Sequence, residues 1–314
     1  MFRYTAARVA LTLPMLLALS VAVFFYVHAV PGDPIAGMLG PAGTPEMIDR
    51  IRAERGLDVA LWTQYWQWLT GLPQGDLGVS LISGQAITPQ LVNRIPATLQ
   101  LTAASLFVTL LIGLPAGFLA GLRQGSWLDR ILTPGALVGL SMPVFWLGTV
   151  LILVLGVRYA WVPTSGYTPF TTDPVESLRF TLLPAVTLGL HLSPFLARLT
   201  RAVTLELQQE QFIKQARAKG LRNGTVIIRY SMRNAILPVL TVLGLLLGTL
   251  LGGQVIVEQL FNWPGIGRLL VQGAIQRDYL MVQSLVLVIA TLYVVINLGV
   301  ELLHGWMDPR IRLR

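Results

Sequence analysis

The residues of this chain that are able to do chemistry are few, and their spacing rules out most of it. There is no cysteine among the 314 residues, which excludes thiolate nucleophiles, disulfides and thiolate metal sites. The three histidines, His28, His191 and His304, lie far apart in the sequence, so no two of them form a metal-binding pair on one helical face. The only lysines, Lys214 and Lys219, follow Ile213 and Ala218. A phosphate-binding loop needs Gly-Lys-Ser/Thr, so this chain cannot hydrolyse ATP through one. It carries no catalytic constellation, and it is not expected to be an enzyme. If ATP drives it, another polypeptide supplies the site.

What remains is concentrated charge. Residues 198–233 hold eight basic side chains (Arg198, Arg201, Lys214, Arg217, Lys219, Arg222, Arg229, Arg233) against two acidic ones, Glu206 and Glu210. Apolar residues recur there at helical intervals: Leu199 and Val203, Leu205 and Phe212, Ile213 and Ala216. Gly220 is placed to close a helix. Leu221-Arg222-Asn223-Gly224 reads as a turn, and a second amphipathic piece runs to Arg233. The pattern predicts a hairpin of short helices on a membrane surface. Charge alone fits two partners equally, anionic lipid or another protein.

The elements that must position this stretch are transmembrane. The chain is 54% hydrophobic and 12% charged, against about 25% charged in a soluble globule. Six charge-free intervals, 9–32, 95–122, 131–157, 180–197, 234–257 and 279–300, are each long enough to cross a hydrocarbon core of about 30 Å. Helices satisfy their own backbone in lipid, so the reading is an all-α polytopic membrane protein with six spans. The first interval exceeds a signal-peptide core and no cleavage site follows, which predicts an uncleaved span. With both termini inside, fifteen Lys/Arg fall on the inner side and eight on the outer, as the positive-inside rule requires. The net charge of +8 is therefore a topology signal and not a nucleic-acid footprint. The organisation expected is a first span in residues 1–30, an extracytoplasmic segment with amphipathic helices at 31–94, a five-span core at 95–304 containing the inner loop 198–233, and a cytoplasmic tail at 305–314.

Smaller signals refine this outline. Pro31-Gly32-Asp33-Pro34 stops the first helix. Thr44-Pro45-Glu46 predicts an N-cap, a proline at the first helical position and an acid in the first turn. Trp62, Tyr65, Trp66 and Trp68 form either an interfacial anchor or a docking surface for an external partner. Gly113, Gly117 and Gly121 lie four apart, as do Gly244, Gly248 and Gly252, a spacing that lets helices approach closely. Prolines within spans (Pro14, Pro115, Pro134, Pro143, Pro184, Pro194) are sites for kinks. His191 is either a hydrogen-bonded bundle residue or part of a polar pathway. Glu258 closes the fifth interval, either at the interface or near an outer mouth. Chains of intramembrane carboxylates, which an ion-coupled carrier uses as a proton relay, are missing. A self-sufficient carrier would transport in liposomes under an ion gradient with no other protein.

Gln215-Ala216-Arg217-Ala218-Lys219-Gly220-Leu221, followed by Arg233-Asn234-Ala235-Ile236-Leu237-Pro238, resembles the cytoplasmic coupling loop of importer-type ABC permeases. More narrowly, it resembles the dipeptide/oligopeptide/nickel branch of that superfamily. Further stretches resemble the branch in the same order along essentially the whole chain: His28 to Pro34, Gly75-Asp76-Leu77-Gly78, Ile95-Pro96-Ala97-Thr98-Leu99, Gly125-Ser126-Trp127-Leu128-Asp129-Arg130, Trp263-Pro264-Gly265-Ile266-Gly267, Arg277-Asp278-Tyr279, and Met307-Asp308-Pro309-Arg310-Ile311-Arg312. The wider superfamily's Glu-Ala-Ala triplet is replaced here by Lys214-Gln215-Ala216. Gln211 and Phe212 stand where many relatives carry an acid and a tyrosine.

The resemblance implies a type I ABC importer permease fold in a bacterial inner membrane. It implies a second homologous permease, giving a heterodimer, two cytoplasmic ATP-binding subunits that hold ATP and magnesium, and an extracytoplasmic substrate-binding protein. This chain would bind no cofactor of its own and no nucleic acid. It implies that Gln215, Ala216, Arg217, Ala218, Lys219, Gly220 and Leu221 form the contact with the ATPase. Ala216 and Ala218 would be small residues allowing close approach, and Arg217 and Lys219 polar contacts. His191 and Glu258 are the candidates for the translocation pathway. Peptide is the substrate class expected first, then nickel or a metal chelate, then glutathione-like or opine compounds.

Overall fold

The computed structural model describes residues 2–30, 34–39 and 43–307. The Pro31-Gly32-Asp33 turn and the tail from Asp308 onward lie outside the described residues. In chain order the helices are α1 (Phe2–Ala29), α2 (Pro34–Leu39), α3 (Pro45–Glu54), α4 (Leu61–Gly71), α5 (Ile87–Val92), α6 (Ile95–Leu122), α7 (Trp127–Ser141), α8 (Val144–Leu151), α9 (Pro174–Gln209), α10 (Gln211–Ala218), α11 (Asn223–Thr225), α12 (Arg233–Leu260), α13 (Ile266–Ile275) and α14 (Tyr279–Met307). Strand pairing among the described residues is limited to one isolated bridge, Val79 to Ala86.

Among the described residues five helices are long and apolar enough to cross a membrane, or six spans if the pair Trp127–Ser141 and Val144–Arg158, bent by 102°, counts as one. The interval expected to span at 131–157 is thus bent, at one of the prolines expected to kink a helix. The cause is Pro143, which lacks an amide hydrogen and disfavours helical backbone in the residue before it. Met142 accordingly leaves the helix at φ −78°, ψ 123°. Beyond Leu151 the second arm widens into a π-helical stretch, Ile152–Arg158. The prolines at 14, 115, 134, 184 and 194 all lie inside continuous helices.

Two compact units divide the chain: Met1–Thr98 with Pro264–Val294, and Leu99–Trp263 with Val295–Arg314. In the first unit, Thr44 caps α3 as expected, accepting from the Met47 amide at 3.3 Å. The aromatic helix α4 splits into two faces. Tyr65 and Trp68 are buried on Phe24 of α1, whereas Trp62 and Trp66 are exposed. Tyr65 shares a 2.9 Å hydrogen bond with Ser20, and Trp68 donates to Ser284 at 3.1 Å. Asp278 is buried and accepts from Ser80 Oγ (2.5 Å), Leu81 N (3.2 Å) and Met281 N (3.2 Å). One carboxylate thus ties residues 80–81 to the first turn of α14. Leu77, Ile87, Leu91, Ile266, Leu269, Met281 and Leu285 form the apolar core of this unit.

In the second unit, α6 lies directly on α9. A Cβ at Gly117 would stand 2.4 Å from the carbonyl oxygen of Ala197, and one at Gly113 or Gly121 would stand under 3 Å from Leu196 or Thr204. The glycine stripe is thus a backbone-to-backbone contact, as small residues at this spacing permit. The second stripe behaves differently. Gly244 abuts Asn297, while Gly252 has open space around it. Thr102 donates to Gln254 at 3.0 Å, and Gln100 donates to Ser177 at 2.8 Å and Thr181 at 2.6 Å.

Gly117→Val places two methyl groups against a backbone oxygen, and overpacking of this kind costs about 1–3 kcal/mol. The purified protein in detergent is expected to unfold at a lower temperature. Gly135→Ala, where nothing lies within 4 Å, is expected to leave the midpoint unchanged or raise it. Equal midpoints for Gly117→Val and wild type would refute the close contact.

Candidate coupling element

The basic stretch 198–233 is not a free-standing hairpin. Its first third is the end of α9, a 36-residue helix whose length of about 54 Å exceeds the hydrocarbon core by roughly 24 Å. No glycine or proline interrupts residues 195–209, and the Thr204 hydroxyl satisfies itself on the Thr200 carbonyl at 2.7 Å. The helix stops at Glu210, which turns to φ −65°, ψ 145°. The carbonyl of Glu210 then accepts from Ile213 N at 3.1 Å and Lys214 N at 3.2 Å, which starts α10.

Helix α10 is short and two-faced. Ile213 and Ala216 are buried with Val226, and Phe212 and Tyr230 flank them. The helix closes at Lys219, and Gly220 adopts φ +76°, a conformation that glycine alone takes freely. Gly220 N donates to Arg217 O at 3.0 Å and Leu221 N to Ala216 O at 3.4 Å, the bond pair of a Schellman motif. The turn expected at 221–224 is shorter. Helix resumes at Asn223, with Val226 N donating to Arg222 O at 3.1 Å. A π-helical stretch, Val226–Met232, then leads into α12.

One side chain joins the three pieces. Gln208, near the end of α9, donates to Ser231 Oγ at 2.8 Å, on the approach to α12. Its carbonyl oxygen accepts from the guanidinium of Arg217 on α10. Ser231 is fully buried. The outward face is polar and cationic: Gln215, Arg217, Ala218, Lys219, Gly220 and Leu221 are exposed, together with Lys214 and Arg222. Ala216 departs from the contact set expected for it. At 4% exposure it belongs to the core of the loop itself, because the 3.6-residue repeat places it on the same face as Ile213.

Beside this element a partly buried ion pair joins α7 to α9. Asp129 accepts from Arg201 Nε at 2.6 Å and Nη2 at 2.9 Å. It also accepts from Gly125 N at 3.0 Å and Thr133 Oγ1 at 2.9 Å. Neither Gln208 nor Asp129 stood out in the sequence by spacing. The available signals were Asp129 three residues after the capping Ser126, and an arginine, Arg201, on the same helical face as the small residues that meet α6.

The two residues expected along a pathway lie apart from this loop. His191 is half-buried on α9, and its Nδ1 has no hydrogen-bond partner among the described residues. Glu258 is fully buried within the chain. The chain folds back after it, with Asn262 at φ +53° and Trp263 N donating to the Glu258 carbonyl at 2.8 Å. Trp263 is itself fully buried, edge-on to Tyr167 at 4.8 Å.

Comparison with known proteins fits this architecture. Residues 113–313 match the family described as binding-protein-dependent transport system inner membrane component. Residues 1–102 match the N-terminal region of such membrane components. The glutathione transport system permease protein GsiC of Escherichia coli strain K12 is 37% identical over 314 residues, covering all of both chains. Its counterpart in Shigella boydii serotype 4 is 36% identical over the same length. An inward-facing structure of the MetNI methionine ABC transporter shares the fold, with a TM-score of 0.59 at 21% identity over 70% of this chain and 96% of that one. This chain therefore belongs to the binding-protein-dependent transport system inner membrane component family: it is a multi-pass, non-catalytic inner-membrane permease subunit of an ABC importer, and membership implies ATPase and binding-protein partners.

Proposed function

We propose that this subunit moves short peptides or glutathione-like compounds inward by alternating access, driven by ATP that partner subunits hydrolyse. The observation that carries the substrate class is the 37% identity, without gaps in coverage, to permeases named for glutathione transport, a peptide-like compound. The partners are a second homologous permease, two ATPase subunits that hold ATP and magnesium, and an extracytoplasmic binding protein that sets selectivity. The excess of Lys/Arg puts both termini and residues 198–233 on the cytoplasmic side.

Helix α10 is the contact with the ATPase. Its exposed face of Gln215, Arg217, Ala218, Lys219 and Leu221 is small and cationic, suited to a cleft. Ala216 acts from beneath, closing the loop onto Ile213 and Val226. Force applied to α10 reaches α9 through Arg217 and Gln208, and reaches α12 through Gln208 and Ser231. Both long helices then move together as a rigid body.

Three measurements test this reading. The binding protein encoded beside this chain is expected to bind di- or tripeptides or glutathione. Saturation by nickel or a metal chelate, with no peptide binding, would overturn the substrate class. Gly220→Trp forces a bulky residue into left-handed backbone at the exposed tip. Proteoliposomes carrying the complete importer are expected to hydrolyse ATP while uptake is lost, and normal uptake would sink the assignment of α10. Gln208→Leu removes two hydrogen bonds worth about 0.5–1.5 kcal/mol each, and uptake per ATP hydrolysed is expected to fall several-fold at unchanged binding-protein affinity.

A further inference from the structure

We propose that Asp129 and Arg201 are positioning residues for transport. Their ion pair makes the α6–α7 turn move with the cytoplasmic stem of α9, so that motion entering at α10 reaches the broken span. The inference rests on the reading of α10 as the coupling element.

The geometry is that of a clasp rather than a surface salt bridge. The Asp129 side chain is 8% exposed and that of Arg201 25%. Both carboxylate oxygens are fully used: Oδ1 accepts from Arg201 Nε and Thr133 Oγ1, and Oδ2 from Arg201 Nη2 and Gly125 N. A carboxylate has about four acceptor positions, so none is left over for a partner protein. The bidentate fork fixes orientation as well as distance, and a lysine at 201 would keep the charge but lose the fork.

The position of the pair gives it a mechanical consequence. The contacts of Gly113, Gly117 and Gly121 already seat α6 on α9 between Ser193 and Thr204. Arg201 lies in that same interval, seven residues before Gln208 on α9. Asp129 lies in the first turn of α7, whose other end is the break at Met142-Pro143. The clasp fixes the near end of α7 to the α9 stem, and toward the far end Gly139 packs against Pro194 of the same helix. Through the clasp, a displacement of the α9 stem is delivered to the near end of a span that bends by 102°.

The test uses the complete importer in proteoliposomes, with Asp129→Asn, Arg201→Gln, the double variant, Arg201→Lys and Gly220→Trp measured side by side. Uptake per ATP hydrolysed is expected to fall about tenfold in each single variant of the pair and no further in the double, the non-additivity expected of residues acting as one. The KM for ATP and the assembly of the complex are expected to be unchanged. Arg201→Lys is expected to fall between wild type and Arg201→Gln. Because the chain has no cysteine, spin labels at Trp127→Cys and Lys214→Cys report the spacing of the two elements directly. Their distance distribution is expected to broaden in Arg201→Lys and Asp129→Asn. Wild-type stoichiometry in the single variants, multiplicative effects in the double, or an unchanged distance distribution overturns the proposal. Loss of assembly in every variant, Arg201→Lys included, also overturns it and assigns the pair to folding alone. If Gly220→Trp uncouples while the pair variants behave as wild type, only the clasp fails; if Gly220→Trp transports normally, the reading of α10 fails.

Discussion

The structure depends on one close approach, the backbone of α6 against the backbone of α9. Where Gly117 faces Ala197 there is no room for even a β-carbon. In a membrane, helices gain little from hiding apolar surface from one another, because lipid is equally apolar. Van der Waals contact between closely fitted backbones does the work instead. The contact makes α9 the fixed axis of its unit, and α9 is also the helix that continues out of the membrane. A rule of lipid packing and an element of cytoplasmic chemistry are therefore parts of one 36-residue rod.

Around that rod the polar residues follow a consistent logic. Buried hydroxyls on α9, such as Thr187 and Thr204, bond to carbonyls one turn back and ask nothing of their neighbours. Residues that bond across elements are rarer and sit where elements must be held in register: Gln100 on Ser177 and Thr181, Thr102 on Gln254, Asp129 on Arg201, Gln208 on Ser231. Each ties together segments that are distant in the sequence.

What the sequence made legible was local or compositional. The Thr44 cap, the closing glycine at 220 and the α6 glycine stripe are decided within a few residues by backbone geometry or spacing. Charge-free length located the spans, but it is blind to direction. Residues 131–157 count as one apolar interval, although Pro143 turns them into two arms. Residues 198–209 read as a surface helix because their charge marks a boundary, whereas a helix carries arginines out of the membrane without breaking. Ala216 was assigned by resemblance to a contact surface, and only the partners Ile213 and Val226 reveal that it faces inward. The burial of Glu258 is not legible in the sequence, because it depends on the tertiary packing of the fold-back through Asn262. Gln208 is illegible for the same reason, and Asp129 shows only as part of the Gly125–Arg130 motif: each matters through a residue distant in sequence.

The small apolar core beneath α10 has a consequence for assembly. Ile213, Ala216 and Val226 are packed together, and the Schellman turn is formed, within the permease chain alone. A segment that must fold onto its receptor loses conformational freedom at the moment of binding, and its affinity is weakened accordingly. Here that ordering has already taken place within the chain, so a protein docking on α10 would meet a finished shape. Such docking would cost little conformational entropy on the side of this chain.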